Sequence, residues 1–178
     1  VGHLYEEGYG VSQNYTKAME WYRKAAQKKL PEAQHNVGML YAQGYGVEKN
    51  DREAFKWFKK AADQELQDAQ YMVGLAYYQG KGVKLSFSNA KKYFKQSANK
   101  GFGEAQFMYS YMLQAGEAAE KPDSYKAFIW GSLAQKNGIK TAEDLVNTAK
   151  LFLDESQIIA ALSAVTSCLK TSYRKCPF

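Results

Sequence analysis

Few side chains in this sequence are of types that do chemistry. The only histidines are His3 and His35, and the only cysteines are Cys168 and Cys176. His3 and Glu7 lie one helical turn apart, and His35 approaching from a neighbouring helix would complete a three-ligand metal site. An incidental group of polar residues is the expectation instead, with no metal and no cofactor. No H-E-x-x-H, Walker loop or G-x-S-x-G string occurs, so no catalytic residue is assigned and no enzyme is expected. A hydrolytic or ligand-binding enzyme would need a nucleophile and a base converging on one place, and the sequence offers neither.

Cys168 and Cys176 stand eight residues apart where the helical pattern dies, near Thr171. In a continuous helix they would be about 12 Å apart, too far for a disulfide, which needs Cα atoms within about 7 Å. The tail has to turn back to pair them. The choice is between a disulfide that pins the tail and two unrelated thiols. A disulfide places the protein in an oxidising compartment, periplasmic or outside the cell, whereas free thiols leave the cytoplasm open. It would also lay YRKCPF as a lid on the last helix, whose apolar face carries Ile158, Ile159, Leu162, Val165 and Leu169.

The elements that would position any site come from a repeat. Ala33 opens AQHNVGMLYAQGYGVEKNDREAFKWFKKAADQELQD, and Ala69 opens AQYMVGLAYYQGKGVKLSFSNAKKYFKQSANKGFGE, 36 residues later. Such a period marks an array of supersecondary units, none of which can bury its apolar face alone. The first unit, 1–32, is partial: Val1 aligns with Val37 in mid-helix, so upstream sequence is expected. Units 33–68 and 69–104 are complete. The unit 105–141 keeps Gly116, Ala127, Trp130 and Gly138 but gains one residue before Asp123. Repeats therefore fill 1–140, and 141–178 reads as capping helices and a tail.

Each unit reads as two antiparallel helices. Val37, Leu40 and Tyr41 follow helical spacing, and Gly44 sits where a left-handed residue closes the helix. Asn14, Asn50, Ser86 and Asp123 occupy one equivalent position and are good N-caps. Asn50 with Glu53, and Asp154 with Gln157, have capping-box spacing. Gly38 and Gly74, replaced by Ser110 in the next unit, suggest close helix approach. Trp21, Trp57, Tyr93 and Trp130 recur beside small alanines and are assigned to the core.

The pattern A-x-x-x-x-G-x-x-Y-x-x-G-x-G-V followed by A-x-x-W/Y-F/Y-x-K-A-A resembles the Sel-one-like repeat (SLR), a relative of the tetratricopeptide repeat, across Val1 to Gly138. The resemblance implies an all-α fold, a right-handed α-solenoid of helix-turn-helix repeats with a C-terminal helical cap. It also implies a protein scaffold of a kind that is often bacterial and often exported. The unit from Ala105 departs from the pattern, with EAAEKP in place of the G-x-G-V loop.

If the units pack as tetratricopeptide repeats do, the first helices line a concave groove. The groove residues are then His35, Met39, Ala42 and Gln43; Tyr71, Leu75, Tyr78 and Gln79; and Phe107, Tyr111 and Gln114. Their spacing puts each set on one helical face, apart from the core face. These rings either fill the inner curve as core or form a peptide-binding groove, since Tyr and Met favour interaction sites. The net charge of +6 is concentrated on the second helices: Arg23, Lys24, Lys28 and Lys29; Lys56, Lys59 and Lys60; Lys91, Lys92 and Lys95. A solvated outer face is the plain reading, and attraction of an acidic partner is the functional one. Nucleic acid is not expected, because the aromatics and the lysines belong to different faces. No apolar run approaches the roughly 20 residues of a transmembrane span. The expected function is a non-enzymatic adaptor that binds another protein or peptide in its groove. The alternative is an immunity or inhibitor protein that docks on a secreted toxic enzyme and neutralises it.

Overall fold

The structure is a computed structural model that describes residues 1–119, 121–174 and 176–177. It divides into two compact units, Val1–Ser86 and Phe87–Phe178. The first holds α1 (Gly2–Glu7), α2 (Tyr15–Gln27), α3 (Pro31–Gln43), α4 (Asp51–Ala62) and α5 (Gln67–Gln79). The second holds α6 (Phe87–Ala98), α7 (Gly103–Ala115), α8 (Ser124–Lys136), α9 (Ala142–Lys150) and α10 (Glu155–Lys170). Among the described residues there is no strand.

Each loop from a first to a second helix is closed by backbone. Gly44 takes the left-handed conformation, φ 76°, and its N–H donates to Leu40 C=O at 2.9 Å. The N-cap amide of the next helix then donates back to the first helix: Asn14 to Tyr5, Asn50 to Tyr41, Ser86 to Tyr77 and Asp123 to Leu113, all at 2.8 to 2.9 Å. The side chains of Asn14, Asn50 and Asp123 cap the amides of the first turn. This backbone clasp corrects one expectation. Because the Asn50 amide is already bonded, Glu53 does not reach back to it, and its carboxylate takes Lys56 Nζ at 2.6 Å instead. Asp154 and Gln157 do form the reciprocal capping box.

The second glycine of the loop sets the spacing between repeats. At Gly46 (φ 68°) an added Cβ would lie 2.5 Å from the Tyr15 carbonyl carbon, and at Gly82 (φ 70°) it would collide with the Asp51 carbonyl. The loops of Gly46 and Gly82 thus rest directly on the starts of α2 and α4. Only a residue without Cβ fits there.

The core lies between first and second helices. On α4 the buried residues are Ala54, Phe58, Ala61 and Ala62, and a Cβ on Gly38 would come within 2.7 Å of the Phe58 ring. Tyr22, Phe58 and Phe94 are therefore the buried rings of α2, α4 and α6. The assignment of Trp21 and Trp57 to the core is corrected: Trp21 is 42% exposed, Trp57 is half-buried, and both carry lysines over their faces, Lys24 at 4.8 Å and Lys60 at 3.9 Å. Tyr93 is half-buried as well.

Trp130 is fully buried, for a local reason. In the unit of α7 and α8 the large and small partners are exchanged, with Ser110 standing where Gly38 stood and Gly131 where Phe58 stood. Ser110 Oγ donates to Ala127 C=O at 2.6 Å and sits where a Gly131 Cβ would touch it. Packed against α7, α9 and α10, α8 buries every residue from Ala127 to Ala134, and the Trp130 ring meets Tyr109 edge-on at 5.4 Å.

Buried glutamines tie successive second helices together. Gln34 Nε2 donates to Ala26 C=O at 3.4 Å while its Oε1 accepts from Gln64 at 2.8 Å. Gln106 repeats this with Ala98 C=O and Asn137, at 3.2 and 2.7 Å.

At the end of the chain Cys168 and Cys176 are joined, Cα to Cα 4.9 Å. Ser172 and Tyr173, both at positive φ, turn the tail so that Asn137 Nδ2 donates to the Tyr173 hydroxyl at 2.9 Å. Of the expected lid YRKCPF, Lys175 and Phe178 lie outside the described residues, and the last helix is covered only in part. Ala161, Val165 and Cys168 are buried, but Ile159, Leu162 and Leu169 stay 63%, 49% and 39% exposed, because the turn carries Tyr173 back to Asn137 and Gly101.

Candidate functional site

The groove candidates lie on α3, α5 and α7. Met39, Tyr71, Leu75, Tyr78, Phe107 and Gln114 are half-buried, while Gln43, Gln79 and Tyr111 are exposed. None of them falls in the fully buried core. His35 faces inward instead: its ring packs on Phe58 at 5.4 Å, and its Nδ1 is buried without a hydrogen-bond partner. Burial holds its pKa below the ordinary histidine value, with Asp68 pulling the other way. A neutral imidazole wedged beside Phe58 supports the wall of the site.

Two apolar depressions open on these faces, one in each unit. In the first unit a cavity of about 150 Å³ is lined by Ala42, Leu75 and Gln79 together with Phe55, Phe58 and Met72, and Lys49, Asp51 and Lys81 also line it. In the second a cavity of about 520 Å³ is lined by Phe107, Tyr111 and Gln114 with Leu145, Thr148 and Phe152. The structure thus brings Leu75 and Gln79 to one cavity and Phe107, Tyr111 and Gln114 to the other. His35, Met39, Gln43, Tyr71 and Tyr78 line neither. Sequence reasoning missed Phe55 and Met72, which share the first cavity, and Leu145 and Phe152, which were read only as parts of the cap. Their signal was apolar side chains left over once the core face of each helix had been assigned.

Several basic residues of the second helices in the first unit are engaged nearby. Lys56 pairs with Glu53 and Lys59 with Asp63, Lys24 and Lys60 lie over tryptophans, and Arg23 reaches the Tyr41 ring and hydroxyl. Such exposed pairs contribute at most about 1 kcal/mol each.

No chemistry gathers elsewhere among the described residues. His3, Glu6 and Glu7 present ligand atoms within 4.8 Å of one another, with His3 Nδ1 3.7 Å from Glu6. His35 is not a member of this group, contrary to the grouping entertained from sequence. The Glu6 carboxylate also accepts the Tyr22 hydroxyl at 2.5 Å, and His3 and Glu7 are exposed. We assign no metal site there. Among the described residues no helix is long and apolar enough to cross a membrane.

The Sel1 repeat model matches four successive stretches, residues 1–30, 31–66, 67–102 and 103–138. The chain belongs to the Sel1 repeat family. Its fold is that of a Sel1 repeat protein from Oxalobacter formigenes, at 30% identity and a TM-score of 0.76 over 82% of this chain and 59% of that one. It is also similar to a protective antigen present in uropathogenic Escherichia coli strains, which displays an SLR fold, at 30% identity and a TM-score of 0.81 over 93% of this chain. The present chain spans 59% and 36% of the lengths of these two proteins. No curated protein matches it. These Sel1 neighbours place the all-helical array in the α-solenoid class. Sel1 repeats generally mediate protein–protein interactions and are typically non-enzymatic scaffolds.

Proposed function

We propose that this Sel1 repeat protein is a non-enzymatic adaptor that binds a partner protein or peptide through first-helix faces, that of α3 and α5 in the first unit or that of α7 in the second. The observation that carries the reading is the pair of apolar depressions, each opening on groove residues, Leu75 and Gln79 in one unit and Phe107, Tyr111 and Gln114 in the other. Apolar pockets flanked by a few polar groups are the usual form of an anchor site for a partner's side chains. The tail disulfide supports an extracytoplasmic setting, periplasmic or secreted, where such bonds persist.

The test is affinity capture of the partner from the native source, followed by titration against variants. Leu75→Ala and Tyr111→Ala should each weaken binding by about tenfold or more, while the melting transition of Tyr111→Ala stays close to that of the parent because Tyr111 is 42% exposed. Undiminished affinity in both variants, with the fold intact, would exclude the first-helix faces.

A further inference from the structure

The loop of the divergent unit leaves a space that the other loops fill. Position 118 is the equivalent of Gly46 and Gly82, whose lack of a side chain lets the loop rest on the start of the preceding second helix. Here it is Ala118, still in the left-handed region at φ 55°. The helix start that it should lie upon is Phe87–Ser88, the equivalent of Tyr15–Thr16 and Asp51–Arg52. A Cβ cannot enter that contact. Ala118 and Ser88 line a cavity of about 500 Å³ instead.

Lysines line this cavity. Lys91 and Lys92, neighbours on α6, are joined by Lys95 one turn on, and Lys91 and Tyr109 also line an adjoining cavity of about 680 Å³ that adds Lys121 and Lys126. Among the described residues the single carboxylate lining the two cavities is Asp123, which is engaged by Lys126 Nζ at 3.1 Å and by the Lys126 amide. Among the described residues Lys91 Nζ reaches a backbone oxygen, that of Glu117, at 3.5 Å. Its pKa is lowered chiefly by burial; Asp123 opposes this, and Lys126 and Lys95 each add a smaller lowering. The adjoining cavity also offers Ser124 and Tyr125 for hydrogen bonding and Pro122, Phe152 and Leu153 as apolar surface.

We propose that the paired cavities around Lys91 are a binding cleft for an acidic peptide segment, whose carboxylates are received by Lys91, Lys92 and Lys121. Crowded ammonium groups facing a common space gain most from an incoming anion, since one carboxylate relieves the repulsion among several of them. Sequence reasoning assigned the lysines of α6 to an outer wall and passed over the loop that turns them into a cleft. The cleft does not depend on whether the first-helix faces bind anything.

An octaglutamate peptide titrated into the whole chain, by calorimetry, is the test. Binding should be measurable and should weaken as salt rises from about 0.1 M to about 1 M, where the screening length falls from about 10 to about 3 Å. Lys91→Gln and Lys121→Gln should each weaken it by about fivefold and together by more than about tenfold. Lys136→Gln and Lys150→Gln, which remove the same charge from exposed positions on α8 and α9, should change it less than about twofold. Thermal melts show whether each variant is folded. Equal losses in all four single variants would reduce the effect to net charge, and absence of binding by the parent protein would remove the cleft altogether.

Discussion

Gly82 shows how much depends on a missing Cβ. Any L-residue there meets two costs, the left-handed conformation and a collision with the Asp51 carbonyl, whereas Gly10, at φ 71°, has nothing within 4 Å of the added atom. Alanine at Gly10 should therefore cost only the conformational part, about 1 kcal/mol, and alanine at Gly82 about 3 kcal/mol or more. Urea unfolding of the two variants separates the terms. Equal losses would mean that the loop does not rest on α4 in solution.

At the scale of the helix, neighbouring aromatics divide the work. Phe58 is 3% exposed and faces Gly38, whereas Trp57 lies at the edge under Lys60. Phe58→Ala should cost about 3 to 5 kcal/mol, and Trp57→Ala about 1 to 2 kcal/mol, in keeping with partial burial and a lost cation contact. Chemical denaturation decides, and a larger loss at Trp57 would reverse the assignment. The repeat period, the closing glycines and the N-caps Asn14, Asn50 and Asp123 were legible in the sequence because each is a local rule that recurs from unit to unit. Which ring enters the core was not, because it depends on the rotation of the whole helix. Ala54, Phe58, Ala61 and Ala62 do share one stripe at helical spacing, but the size of Trp57 drew attention to the wrong neighbour. The Gln34 and Gln106 bridges were also missed, since a buried glutamine looks polar and solvated until both of its partners are placed. Of the site, the faces could be read from spacing, but not the cavities. A cavity is what two helices fail to fill, and no single helix records it.

At the scale of the molecule, the tail and the tolerance of the loops matter most. The Cys168–Cys176 bond closes a short loop, for which chain entropy gives about 2 to 3 kcal/mol. Intact mass before and after reduction and alkylation, on protein taken from its own compartment, should show no alkylation until the bond is reduced. Two thiols alkylated without reduction would remove both the bond and the support it lends to the proposed extracytoplasmic setting. The backbone clasp has a further consequence. Asp123 N–H still reaches Leu113 C=O at 2.9 Å, although its loop holds one extra residue and has lost the second glycine. The next helix therefore begins in phase despite the inserted residue. The array tolerates changes in length at that loop, so novelty in sequence can accumulate there while the helices on either side keep their partners.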